Sequence, residues 1–355
     1  MIRRLVSHPE DDLRGSDWRK GESVSRRLII LLIVLVVAAI AAPAAAITNG
    51  QPDEGSHPIV GQLLFYVPNN PPTPGGLWYN CSGTLLSDTV VLTAGHCTFG
   101  VGFDGTATVA VDSDGYPIPV ADIDEDGEAD NGTGGNDIWI TFSEAADYTG
   151  WPLAADYPDP GERYQARVDW LDSRSDWIRG IANPHPQYND NAFFLWDAGI
   201  VTLTLMDGES IPAGPFASLP TEGYLNGFVG NTKATTHFTP VGYGLEGSRP
   251  WGAWGGDTRM YASVMLINTR GVFGIDALAR KLGIPNPSVV LSNNNGAAHQ
   301  GGTCFGDSGG PVFEGDTFKV VAVTSFGMNG NCAGTGGAYR IDQADDLAFI
   351  DSFLP

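Results

Sequence analysis

The chain is divided so often by glycine and proline that long regular elements have little room to form. Forty-seven glycines and 24 prolines punctuate 355 residues, and the runs between them are short and rich in Val, Ile and Thr. Such punctuation favours many strands joined by turns over long helices. Candidate strands are Ile59–Tyr66, Thr89–Thr93, Ile138–Phe142, Ile200–Leu205, His237–Tyr243, Met260–Leu266 and Val320–Ser325. Past residue 46 no long amphipathic helix is expected until a closing one at Asp345–Leu354, where Leu347, Ile350 and Leu354 fall on one face. The expected fold class is all-β.

The first 27 residues are polar and of mixed charge, and the next nineteen, Leu28 to Ala46, carry no charge. About 20 apolar residues suffice to span a bilayer, but this segment decays into Ala44-Ala45-Ala46, a small-residue cleavage pattern. Residues 1–46 therefore read as a signal peptide, with a retained membrane anchor as the alternative, and localisation as secreted. The formal charge is −22; the leader holds seven basic and five acidic residues, which leaves −24 beyond it. That sign disfavours nucleic acid as a partner and does not identify a substrate. Four cysteines in an exported chain suggest two disulfides, with three pairings open.

Three short strings carry chemistry: Thr93-Ala94-Gly95-His96-Cys97, Asp197-Ala198-Gly199-Ile200-Val201 and Gly306-Asp307-Ser308-Gly309-Gly310-Pro311. A serine hydroxyl is a poor nucleophile at neutral pH, so it needs an imidazole to take its proton and a carboxylate to orient that imidazole. His96, Asp197 and Ser308 fit those roles. The glycines let the backbone turn tightly enough for the N–H groups of Gly306 and Ser308 to aim at one developing oxyanion. Asp190 competes for the carboxylate role and loses, because Asp197 alone opens an apolar β-branched run that would fix it on a buried strand. His57 and His185 each adjoin a proline in a loop-like stretch without a nearby partner, and read as surface or structural.

With these strings in the order His, Asp, Ser, the chain resembles the chymotrypsin/trypsin family of serine proteases. Cys81-Ser82-Gly83-Thr84-Leu85 leading into Val90–Cys97, His185–Asn189 ahead of Asp197, and Val241-Gly242-Tyr243-Gly244 are similar to further landmarks of that family. The resemblance runs in patches from Ile47 to the C-terminus. It implies one peptidase domain at 47–355 built from two six-stranded antiparallel β-barrels, at about 47–215 and 216–355, with a short C-terminal helix. It implies disulfides Cys81–Cys97 and Cys304–Cys332, and an exported serine endopeptidase acting on proteins or peptides without a catalytic cofactor. A non-catalytic binding or adhesion module on the same fold, organised by calcium, is the alternative.

The resemblance also implies how such a chain would be switched on and what it would cut. Cleavage after Ala46 would expose Ile47-Thr48-Asn49-Gly50, whose ammonium would pair with Asp307 and latch the loop before Ser308. No basic residue precedes Ile47, so signal cleavage itself would supply that terminus. The pocket for the residue before the scissile bond would have Gly302 at its floor, followed by Thr303, with Ser325, Phe326 and Gly327 along one edge and Gly337 opposite. Nothing there is charged, so an apolar or medium-sized side chain is expected rather than Arg or Lys. The chain departs from the family pattern at Thr48-Asn49, at Phe326 in place of tryptophan and at Gly95 in place of alanine; none removes a catalytic atom.

His96 and Asp197 are 101 positions apart, more than two barrels need, and an acidic insertion at Asp112–Asp137 fills part of the interval. Within it Asp122, Asp124, Asp126, Glu128 and Asp130 are spaced as in a calcium loop, with Gly127 at the sharp turn. Thr133 stands where a closing glutamate would be, and glycines follow instead of a helix. The expectation is a structural calcium ion, against a solvated acidic loop.

Overall fold

Strands Val60–Val67, Leu77–Leu85, Val90–Thr93, Gly199–Leu203, Ile178–Pro184 and Gly135–Thr141 pair antiparallel in that order, and the last returns to the first to close a barrel. A second ring starts at His237–Gly242 and passes through Val264–Asn268, Ser288–Asn293, Gly334–Arg340, Val320–Gly327 and Pro311–Glu314. It closes where Val312 pairs with Pro240. Closure removes the open edges of both rings, and Met260–Tyr261 and Gln51–Pro52 extend the second from His237–Gly242. The fold is thus two closed six-stranded antiparallel barrels, as expected. This computed structural model describes residues 47–68, 76–102, 135–188, 193–229, 236–249, 252–269, 271, 279, 286–293 and 301–355. Residues 1–46, Asp190 and the acidic positions Asp122, Asp124, Asp126, Glu128 and Asp130 lie outside them. No helix among the described residues is long and apolar enough to cross a membrane.

The strand Val60–Val67 lies within one residue of the expected Ile59–Tyr66. Leu63 and Phe65 point into the barrel core, while Leu64, on the opposite face, belongs to a second cluster with Trp139, Val168, Leu171 and Trp177. Both faces are covered, so the strand is apolar without alternation. The cover is a helix at Pro160–Asp172, which corrects the expectation that no helix interrupts the chain before its end. Asp159 caps it by accepting from the N–H groups of Gly161 and Glu162, and Pro160 takes the first helical position, where its missing N–H costs nothing. Burying Leu171 completely stabilises this packing by roughly 2 kcal/mol. The helix accounts for part of the long separation between His96 and Asp197.

The closing helix spans Ala344–Asp351, and its inward residues are Asp346 and Ile350. Two histidines differ from expectation. His57 has a partner: its Nδ1 and backbone N–H both bond Asp53, which also accepts from Arg259 Nε at 2.8 Å. Burial alone would raise the Asp53 pKa, but the His57 and Arg259 bonds outweigh it and hold the carboxyl below its usual range. Arg259 reaches further, donating to the carbonyls of Val60 and Phe142 and to the Tyr243 hydroxyl. His185 is buried rather than on the surface; its N–H bonds the Ala198 carbonyl and its ring lies between Trp196 and Phe349. Burial lowers its pKa.

Candidate active site

His96 lies in a single 3-10 turn, Gly95–Cys97, directly after strand Val90–Thr93. Asp197 immediately precedes strand Gly199–Leu203, which pairs with Val90–Thr93 and so brings the two residues together. The Asp197 carboxylate is fully buried; it accepts from the His96 backbone N–H at 2.9 Å and lies 3.0 Å from His96 Nδ1 through either oxygen. Ser325 donates its hydroxyl to the other side of the same carboxylate. With Nδ1 held this way, the opposite ring nitrogen is the one left for substrate chemistry. Gly95 has a local reason to lack a side chain: a Cβ there would stand 2.7 Å from the Tyr188 ring.

Ser308 comes from the second barrel, just ahead of strand Pro311–Glu314, and its carbonyl accepts from the Ser82 N–H of the first at 2.7 Å. Ser308 and His96 line one cleft of about 370 Å³, together with Thr303, Thr324, Ser325, Phe326 and Gly327. The peptide ahead of Gly306 is oriented by Leu245, whose N–H bonds the Phe305 carbonyl; the peptide ahead of Ser308 is oriented by Gly310, whose N–H bonds the Asp307 carbonyl. In a trans peptide the N–H points opposite to the C=O, so both carbonyl anchors turn the Gly306 and Ser308 N–H groups away from those partners. Gly306 has φ 96° and Gly309 φ 75°, conformations only glycine adopts without strain.

Disulfides join Cys81 to Cys97 and Cys304 to Cys332, as the resemblance implied. The first anchors the His96 turn to strand Leu77–Leu85; the second ties the segment before Ser308 to the far side of the cleft. Asp307 is fully buried and accepts from the N–H groups of Gly244 and Cys304 at 2.8 Å each. It makes no ion pair among the described residues, and burial pushes its carboxyl up to about 7 despite those two bonds. In the continuous chain Ile47 is wholly buried, and Thr48 pairs with Gly302 through backbone and hydroxyl. Of the expected pocket residues, Thr303, Ser325, Phe326 and Gly327 line the cleft. Gly302 lies behind them, packed against Asn293, and the face of Gly337 is covered by the Phe326 ring. The glycine facing the base is Gly336, one position earlier, where a Cβ would meet Asn293 and Thr303.

A family model described as Trypsin matches residues 286–347. Two curated proteins of Drosophila melanogaster, Serine protease 1 and Serine protease 2, are each 29% identical over 136 residues, 37% of this chain and 48% of theirs. Over these stretches the chain is similar to trypsin-like serine proteases. It spans about half the length of the curated relatives it matches. A solved HL collagenase has the same fold as this trypsin-like chain, with a TM-score of 0.51 at 16% identity, over 87% of this chain and 100% of that one.

Proposed function

We propose that the chain is a secreted serine endopeptidase in which Ser308 is the nucleophile, His96 the general base and acid, and Asp197 the group that holds His96. The observation that carries this reading is the buried Asp197–His96 pair opening onto the same cleft as Ser308. In the first step Ser308 Oγ attacks the scissile carbonyl carbon while His96 Nε2 takes its proton. The carbonyl oxygen becomes an oxyanion held by the N–H groups of Gly306 and Ser308, each donor worth about 10²-fold or more in rate. His96 then gives its proton to the leaving amine. Water, deprotonated by His96, attacks the acyl-serine, and loss of Ser308 Oγ yields the carboxylic acid. Among the described residues the lining carries no Asp, Glu, Lys or Arg, which supports uncharged residues before the scissile bond.

Cleavage after Ala46 would turn the Ile47 amide into an ammonium, and Asp307 is a buried carboxylate without a cation. An ammonium and a carboxylate about 4 Å apart attract by roughly 4 kcal/mol at an effective dielectric of 20, much of it offset by desolvation. This pair would latch the loop that carries Gly306 and Ser308. The deciding experiment is the intact mass of the secreted protein before and after a fluorophosphonate probe. One adduct on a mass beginning at Ile47 supports both nucleophile and activation; no adduct on that species overturns the catalytic reading. A calcium ion at Asp122–Asp130 rests on sequence spacing alone, and an unchanged melting temperature at millimolar calcium would remove it.

A further inference from the structure

Strand Ser288–Asn293 ends behind the cleft, and its last side chain is almost wholly buried. Asn293 donates from Nδ2 to the Thr303 carbonyl at 2.9 Å, while its Oδ1 has no hydrogen-bond partner among the described residues. Two glycines make room for this carboxamide. A Cβ on Gly302 would stand 2.4–2.5 Å from Asn293 Cγ, Cα and Cβ, and one on Gly336 would stand 3.0 Å from Asn293 Nδ2, Asn293 Oδ1 and Thr303 Oγ1 alike. Thr303 lines the cleft in front of it, and so does Thr324, whose buried Oγ1 also lacks a partner. Folded proteins pair the large majority of buried side-chain polar atoms. Two unpaired ones around a single cleft are explained if a ligand supplies the missing partners.

We propose that Asn293, Thr303 and Thr324 form a neutral hydrogen-bonding floor that selects substrates whose residue before the scissile bond ends in an uncharged hydrogen-bonding group, glutamine above all. This rests on the serine-protease reading and narrows its uncharged substrate class. A glutamine carboxamide can donate to Asn293 Oδ1 and accept from a threonine hydroxyl at once. Methionine, close to it in shape, satisfies neither. Arginine brings a charge to a lining without a carboxylate among the described residues, and glutamate sets its carboxylate against the Asn293 oxygen. Sites built around buried polar groups reject analogues that leave those groups unpaired far more strongly than apolar pockets reject a change of size.

The test compares kcat/KM for peptides that differ only in having Gln, Met, Glu or Arg before the scissile bond, with active sites counted by fluorophosphonate labelling. Gln is expected to exceed Met by about tenfold or more, the worth of one hydrogen bond, with Glu and Arg lower still. Thr324→Val keeps the side-chain shape and lowers the Gln-to-Met ratio; Asn293→Asp raises Arg relative to Gln. Met equal to or above Gln in a labelled enzyme overturns this proposal alone, as does a ratio that Thr324→Val leaves unmoved. Failure of Ser308 to label overturns the protease reading and this one with it.

Discussion

Asp197 and Asp307 belong to different barrels and are equally hidden from solvent, but they are held by different kinds of donor. Asp197 receives the His96 ring, the His96 backbone N–H and the Ser325 hydroxyl. Asp307 receives two backbone N–H groups and nothing that carries charge. A ring can take up a proton during a reaction, whereas an amide cannot. Burial therefore drives Asp307 towards the neutral form, and its charge can be matched only by a group brought from elsewhere. On the proposed reading, the same residue type at the same depth serves a reaction in one place and a conformational choice in the other.

The comparison breaks first at Asp197. Asp197→Asn should lower kcat by about 10⁴-fold, since the imidazole is then held in the wrong tautomer; a loss below tenfold in burst-corrected turnover would remove Asp197 from its role. Next in size is a pH effect at Asp307. Its folded pKa of about 7 lies above the ordinary 3.8, so between those values the folded chain holds a proton that the unfolded chain has released. Stability from this group is full below about pH 4 and is lost as pH rises towards 7, a change of a few kcal/mol. Denaturant titrations of the uncut chain and its Asp307→Asn variant should show the wild-type advantage shrinking over that window; a constant difference would mean that Asp307 has a counter-charge already.

Smaller effects sharpen the contrast. Gly244→Ala would place a Cβ 2.4–2.6 Å from Asp307 Cγ, Oδ2 and N, and should destabilise the fold by about 1–3 kcal/mol in thermal melts. An unchanged melt would show that the Asp307 socket is loose. Ser325→Ala removes one of the donors to Asp197 and should cost about tenfold in kcat with KM nearly unchanged. A change confined to KM would place Ser325 in substrate binding instead.

Much of this was legible because it is local. The strings around His96, Asp197 and Ser308 each sit on one turn, and the short β-branched runs announce strands one at a time. The helix Pro160–Asp172 has a capping signal in Asp159-Pro160 but little helical periodicity, since its buried residues are only Val168 and Leu171. Asn293 could not be seen: it is nine positions before Gly302, and only the pairing of Ser288–Asn293 with Gly334–Arg340 sets it against both Gly302 and Gly336. The partnership of Asp53 with Arg259 spans 206 positions and has no local signature. His185 lies in a loop, as the sequence suggests, but the walls that bury it, Trp196 and Phe349, come from later in the chain.

In the proposed site the nucleophile stands on one barrel and its base on the other, joined by contacts such as Ser82 N–H to the Ser308 carbonyl and Arg259 to the carbonyls of Val60 and Phe142. Turnover is therefore a gauge of how tightly the two halves are clasped. Mild denaturant or heat that lets them slip by an ångström would silence the enzyme while each barrel still gave the spectrum of a folded protein.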